Sequence, residues 1–179
     1  GGPAFGTIIA SGPNAANPHH SNSDRAFAPG DLIVMDGGAL HDGYASDITR
    51  TIALGEPGSE ARRIYELVLA ANAAGRAATR PGASGEDIDR ATRAVIAAGG
   101  YGAHFLHRTG HGLGLEIHEP PYIVAGNRAP LRAGTTFTIE PGIYVAGVGG
   151  VRIEDDVLIT ADGAESLTSF ERDLMIVKG

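Results

Sequence analysis

A chain of 179 residues with 42% apolar content is sized for one domain with a real core, and its formal charge of −7 comes from 14 basic and 21 acidic side chains. Lys178 is the sole lysine and the arginines are scattered without a basic run, which argues against a phosphate-tracking surface and against nucleic acid as a partner. The absence of cysteine excludes disulfides, thiolate zinc sites and a cysteine nucleophile, and fits a cytoplasmic setting. No stretch approaches the ~18 continuous apolar residues of a membrane span, so no membrane partner is expected. The chain opens Gly1-Gly2-Pro3 without an initiator methionine, and a natural amino terminus further upstream is expected.

The first third reads as strands: Thr7–Ala10, Asp31–Met35 and Ile48–Leu54 are β-type runs between Gly, Pro and Asn clusters. Two helices follow. From Ser59 to Thr79, Ile64, Leu67, Val68, Ala71, Gly75 and Ala78 recur at three- and four-residue spacing, and Arg80-Pro81-Gly82 ends the run. Ser84-Gly85-Glu86-Asp87 resembles a capping box with Asp in the Glu position; Ile88, Ala91 and Val95 give the second helix its apolar side, and Gly99-Gly100 stops it. Strands return at Thr135–Val145, Val151–Thr160 and Ser166–Thr168, with a turn at Ala161-Asp162-Gly163. Helices grouped between antiparallel strands predict an α+β domain with a curved sheet.

Two hairpins would crowd carboxylates together. A turn at His41-Asp42 sets Leu40 opposite Gly43 and Asp36 opposite Asp47. A three-residue loop centred on Gly147 pairs Val145 with Gly149 and sets Glu140 opposite Glu154. Like charges directly opposed across a ladder destabilise it. Surface acids would merely tolerate this arrangement. Both pairs, however, adjoin apolar cores, Ile33-Val34-Met35 and Phe137-Thr138-Ile139, and buried acids need protons, cations or donors. Divalent ions would supply the cations.

The segment from His107 to Glu119 adds His107, His111 and His118 among glycines, which suit a loop whose backbone approaches a site. Any one of these histidines could equally be a hydrogen-bonded structural residue. Imidazole and carboxylate without thiolate describe a site for manganese, cobalt, iron or zinc, and two ions ~3.5–4 Å apart suit hydrolysis.

Five stretches together resemble the pita-bread metallopeptidases, the group of methionine aminopeptidase, aminopeptidase P and prolidase. They are Val34-Met35-Asp36-Gly37-Gly38, Ser46-Asp47-Ile48-Thr49-Arg50-Thr51, Gly110-His111-Gly112-Leu113-Gly114, Ile139-Glu140-Pro141-Gly142 and Arg152-Ile153-Glu154-Asp155-Asp156. They cover nearly the whole chain in the family's order. The resemblance implies a pita-bread fold, with residues 1–179 forming one catalytic domain. It implies two divalent ions, manganese first, held by Asp36, Asp47, His111, Glu140 and Glu154, with Asp47 and Glu154 bridging. His19, His107 and His118 match the family's substrate-side histidines. Arg152-Ile153-Glu154-Asp155 favours the proline-directed branch over methionine aminopeptidase.

The implied activity is hydrolysis of Xaa-Pro peptide bonds by a metal-bridging hydroxide, in a dipeptidase or an aminopeptidase. Glu140 would shuttle the proton, His107 or His118 would polarise the scissile carbonyl, His19 would contact substrate, and Arg152 would orient Glu154. A non-catalytic peptide- or protein-binding module on the same fold is the alternative from another class. The helix pair that opens a complete domain of this kind, and the separate amino-terminal domain of proline-directed members, are not found ahead of Thr7. The domain is therefore expected to be truncated at its amino terminus. Its uncovered apolar patch is expected to drive association with another copy, a homo-oligomer, or with the upstream segment.

Overall fold

The computed structural model describes residues 1–178. Short β-type runs become Gly2–Pro3 (β1), Ile8–Ser11 (β2), Leu32–Gly37 (β3), Ala39–His41 (β4), Tyr44–Ala45 (β5) and Ile48–Leu54 (β6). The helices follow at Ser59–Ala78 (α1) and Gly85–Ala98 (α2). The last third holds Gly110–Gly112 (β7), Glu119–Ile123 (β8), Thr136–Ile139 (β9), Gly142–Val145 (β10), Gly149–Arg152 (β11), Asp155–Ile159 (β12), Ala164–Ser166 (β13) and Ile176–Val177 (β14). The α+β order of strands, helix pair and strands is as expected. A four-stranded sheet runs β14-β6-β3-β2, a five-stranded one runs β13-β12-β9-β7-β8, and the β10-β11 hairpin lies in sequence between β9 and β12 of the five-stranded sheet.

α1 buries Ala61, Ile64, Tyr65, Val68, Ala71, Asn72 and Gly75, so its apolar stripe is the expected one, with Leu67 and Ala78 left at the margins. It packs under Leu32, Ala53, Ile143, Val151 and Ile153. α2 begins at the expected capping box: the Ser84 hydroxyl accepts from the Asp87 amide and the Asp87 carboxylate accepts from the Ser84 amide. Its Ile88 joins Ile123, Phe137, Ile139, Val157 and Ile159 in a second core. Strand alternation thus sends Ile139 and Ile153 towards the helices and leaves Glu140 and Glu154 to the opposite face. Among the described residues no helix is long and apolar enough to cross a membrane.

The second hairpin has the expected register. Val145 faces Gly149 and Gly142 faces Arg152, while β9 and β12 pair Ile139 with Asp155. These two ladders lie in one register, so Glu140 and Glu154 face each other in the gap between them. The expected continuous strands break there, at Glu140-Pro141 and Ile153-Glu154.

The first hairpin corrects the expectation. Its turn is Asp42-Gly43, not His41-Asp42, because His41 faces Tyr44 and Leu40 faces Ala45. Asp42 and Gly43 have φ of 49° and 87°, the paired left-handed conformations that a type I′ turn requires. β3 and β6 follow the same register, which places Asp36 opposite Thr49. Asp47 lies just before β6, two residues out of line. Since the side-chain period is two, that shift keeps it on the site face as a diagonal neighbour, at roughly 7–8 Å rather than ~5 Å.

Candidate metal centre

All nine residues singled out in the sequence line one cavity of about 530 Å³: His19, Asp36, Asp47, His107, His111, His118, Glu140, Arg152 and Glu154. Asp36 comes from the end of β3, Asp47 from the approach to β6, and His111 from the middle of β7. Glu140 and Glu154 come from the paired strand breaks. Gly110 explains the spacing around His111: a Cβ there would overlap the Thr138 carbonyl, so only glycine lets β7 lie this close to β9. The His111 amide then donates to the Thr138 hydroxyl at 3.1 Å.

Ligand atoms of Asp47, His111 and Glu154 lie within 4.8 Å of one another. His111 Nε2 is 3.4 Å from Glu140 Oε1 and 3.7 Å from Asp47 Oδ2. On its other side, Nδ1 is 3.1 Å from the Gly112 carbonyl, to which it donates, so Nε2 keeps a lone pair facing the acids. Burial holds the His111 imidazole at a pKa of about 4, making it a neutral donor rather than a counter-ion.

The acids pay the electrostatic cost of this crowding. Burial, then repulsion from Asp36, Glu140 and Asp156, pushes Asp47 up to about 9. Burial raises Glu140 to about 7, and burial with the Glu140, Asp47 and Asp36 charges raises Glu154 well above the carboxylate range. Buried Oδ1 atoms of Asp36 and Asp47 have no hydrogen-bond partner. Orphaned oxygens, mutually repelling carboxylates and one lone pair on neutral imidazole form a hard donor set that fits divalent cations.

Arg152 is the organiser. Its Nη2 donates to Asp36 Oδ2 at 2.7 Å, Nη1 to the Tyr144 hydroxyl at 2.9 Å, and Nε to the Thr49 hydroxyl at 3.1 Å. Thr49 in turn donates to Glu154 Oε2 at 2.6 Å. Arg152 therefore reaches Glu154 through Thr49, and its direct ionic partner is Asp36.

The histidines separate. His107 is held at a pKa of about 4 by burial, its Nδ1 faces the Arg108 carbonyl at 2.8 Å, and its Nε2 accepts from the Tyr144 hydroxyl at 2.8 Å. Both ring nitrogens are engaged. His118 stacks edge-on against His111 with ring centres 4.2 Å apart, and among the described residues its nitrogens have no hydrogen-bond partner. His19 lies at the exposed rim.

Sequence reasoning missed Tyr144, Thr49 and Asp156. Tyr144 could have been found from its surroundings: Gly142 beside it and Gly150 opposite leave room for the ring to lie along the sheet towards Arg152. Asp156, whose Oδ2 accepts from the Asp47 amide at 3.0 Å, carried no local signal because its partner is 109 residues away.

Residues 1–161 match the model of metallopeptidase family M24. The chain is 51% identical over 173 residues to the Xaa-Pro dipeptidase of Pyrococcus furiosus, covering 97% of this chain and 50% of that protein. A dipeptidase crystal structure from Pyrococcus horikoshii OT3 superposes with a TM-score of 0.97 at 52% identity, covering 98% of this chain and 49% of that one. The X-Pro aminopeptidase structure from Thermotoga maritima MSB8 gives 0.95 at 43% identity, with 98% and 50% covered. The chain spans about half the length of the curated relatives it matches.

Proposed function

We propose a function for this chain on one premise: it belongs to metallopeptidase family M24. The reading is hydrolysis of a peptide bond preceding proline, by a protein of which this chain is the metal-holding part. The observation that carries it is the convergence of Asp47, His111 and Glu154, with Glu140 and Asp36 completing the donor set. Two divalent ions, manganese first, would be held there by Asp36, Asp47, His111, Glu140 and Glu154. Bound ions would supply an activated water and stabilise charge on the scissile carbonyl oxygen.

The chain's own residues then have separable tasks. Glu140, whose carboxylate lies 3.4 Å from His111 Nε2, is placed to take a proton from the attacking water and deliver it to the departing proline nitrogen. His118, with its nitrogens uncommitted, is the donor to the carbonyl oxygen, in preference to His107. His107 buttresses Tyr144, and Arg152 fixes Asp36 directly and Glu154 through Thr49. His19 at the rim contacts substrate. A cytoplasmic setting rests on the cysteine-free composition. Association with a second copy is part of the same proposal.

Product analysis on the full-length protein tests the reading, with Ala-Pro, Ala-Pro-Ala and a methionyl peptide, before and after chelation and manganese addition. Cleavage of Ala-Pro alone gives a dipeptidase, and cleavage of Ala-Pro-Ala an aminopeptidase. Activity confined to the methionyl peptide, or none with any metal, overturns the proposal.

A further inference from the structure

We propose that Asp89 and Arg93, on the helix behind the site, are positioning residues that set the geometry of residues 105–109. The proposal rests on the function above only for what that segment is positioned to do. Residues 105–109 lie between a single helical turn at Gly102–His104 and β7, and belong to no strand or helix. Their buried polar backbone groups must therefore find partners elsewhere.

α2 provides them. Arg93 Nη1 donates to the Phe105 carbonyl at 3.2 Å, and Nη2 donates to the His107 carbonyl. Its Nε stays with Asp89, 3.0 Å from each carboxylate oxygen, and its guanidinium lies 4.1 Å from the centre of the Phe105 ring. One turn earlier on the helix, Asp89 accepts a 2.7 Å bond from the Thr109 hydroxyl. The Thr109 carbonyl accepts from the Glu140 amide at 2.8 Å. Two side chains a helical turn apart thus grip alternate residues 105, 107 and 109.

The gripped segment is the one that aims the site. His107 receives the Tyr144 hydroxyl, whose other partner is Arg152, and the chain runs on through Gly110 to His111. Neither Asp89 nor Arg93 lines the cavity. Asp89 is buried, and its carboxylate orients a planar fork that a point charge could not replace.

The test uses the full-length, metal-loaded protein with Asp89→Asn, Arg93→Lys and Arg93→Ala. Asp89→Asn keeps shape and the Thr109 bond while removing the charge. Arg93→Lys keeps the charge but cannot reach two carbonyls at once. Displacing a catalytic group by ~1 Å costs on the order of 10²-fold, so Arg93→Ala is expected to lower kcat by about that factor with KM and metal content little changed. Arg93→Lys should not rescue it. Amides of residues 105–111 should exchange hydrogen faster while those of α2 stay protected. In a His107→Ala background, Arg93→Ala should add little to the kcat loss, since the two act in series.

Unchanged exchange at 105–111 in Arg93→Ala overturns the proposal, as does loss of protection along all of α2 with kcat effects additive to His107→Ala. Should Arg93→Ala fail to fold, the same readings on Arg93→Lys and Asp89→Asn decide. Exchange is read without turnover, so a wild-type protein that cleaves no Xaa-Pro bond would refute the proposed function while leaving this test intact.

Discussion

The two acid-bearing hairpins reach the same end by different means. Glu140 and Glu154 are placed by backbone register: ladders on both sides of them agree, and in the gap the Ile153 amide still donates to the Pro141 carbonyl at 3.4 Å. Asn72, fully buried on α1, fills that gap, its Nδ2 donating to the carbonyls of Ile139 and Ile153 at 3.1 and 3.3 Å. Asp36 and Asp47 are not opposed in any ladder. Asp36 is held by Arg152 and Asp47 by Asp156, partners 116 and 109 residues distant. One pair is built into the sheet and supported from behind; the other is tied in place by side chains. The first should fail through loss of fold, the second through loss of metal.

The largest expected effect comes from the ligands themselves. Asp47→Asn removes one negative charge from the candidate ligand set, so metal content and Xaa-Pro cleavage should fall together. His118→Ala should keep its metal and lose roughly 10²–10³-fold in kcat, the usual scale for one oxyanion donor. Metal analysis of the two purified variants checks this; equal metal loss in both would remove the distinction between ligand and donor.

The supports come next and test the contrast directly. Asn72→Leu strands the Ile153 carbonyl, which faces Pro141 and so has no ladder donor, and should destabilise the protein by about 1–3 kcal/mol in denaturant titrations. Asp156→Ala should cost little stability, because Asp156 is itself a buried acid raised to about 7. It should instead weaken manganese binding by roughly 10–100-fold, as lost outer-shell partners do. The reverse outcome, with Asn72 governing metal and Asp156 governing fold, would mean the two hairpins are not held differently.

A third effect depends on pH. Unfolded carboxylates titrate near ~4, whereas Asp47 in the fold titrates at about 9 and Glu140 and Asp156 at about 7. Between those values the folded protein binds more protons than the unfolded one, so stability of metal-free protein must fall as pH rises through the window. Metal binding displaces the same protons and opposes the loss. Melting curves from pH 5 to pH 9 at fixed free manganese should show a stabilising shift that grows with pH. A shift that shrinks would mean the acids are not crowded in the metal-free state.

These two constructions also explain what the sequence made legible. The apolar stripe of α1, the Ser84–Asp87 capping box and the Gly147 loop are local signals, and each predicted its element correctly. The five carboxylate and imidazole positions that the structure gathers around one cavity each sit in a contiguous motif. The Asp42-Gly43 turn was also written locally, in the dipeptide that favours type I′ geometry, but the turn was placed one residue early. The strand breaks at Glu140 and Glu154, and the bonds from Asn72 and Asp156, depend on partners brought together only by the completed sheet. No window of sequence contains both ends of those contacts.

The smallest expected effect separates turn from site. Gly43 and Gly147 have φ of 87° and 83°, and a Cβ at either would meet nothing within 4 Å. Alanine there is penalised by backbone conformation alone, about 1–2 kcal/mol for a left-handed residue. Both Gly43→Ala and Gly147→Ala should therefore lower stability by about that amount. Metal affinity should stay unchanged in each, for opposite reasons. In the second hairpin, the β9–β12 ladder holds Glu140 and Glu154 in register even if the β10–β11 turn is strained. In the first, Asp47 is fixed from outside the hairpin by Asp156, so the turn does not set its position. Calorimetric titration with manganese, beside thermal melts of both variants, measures the two quantities separately. Weakened binding in Gly43→Ala alone would show that the Asp42-Gly43 turn, rather than Asp156, positions Asp47.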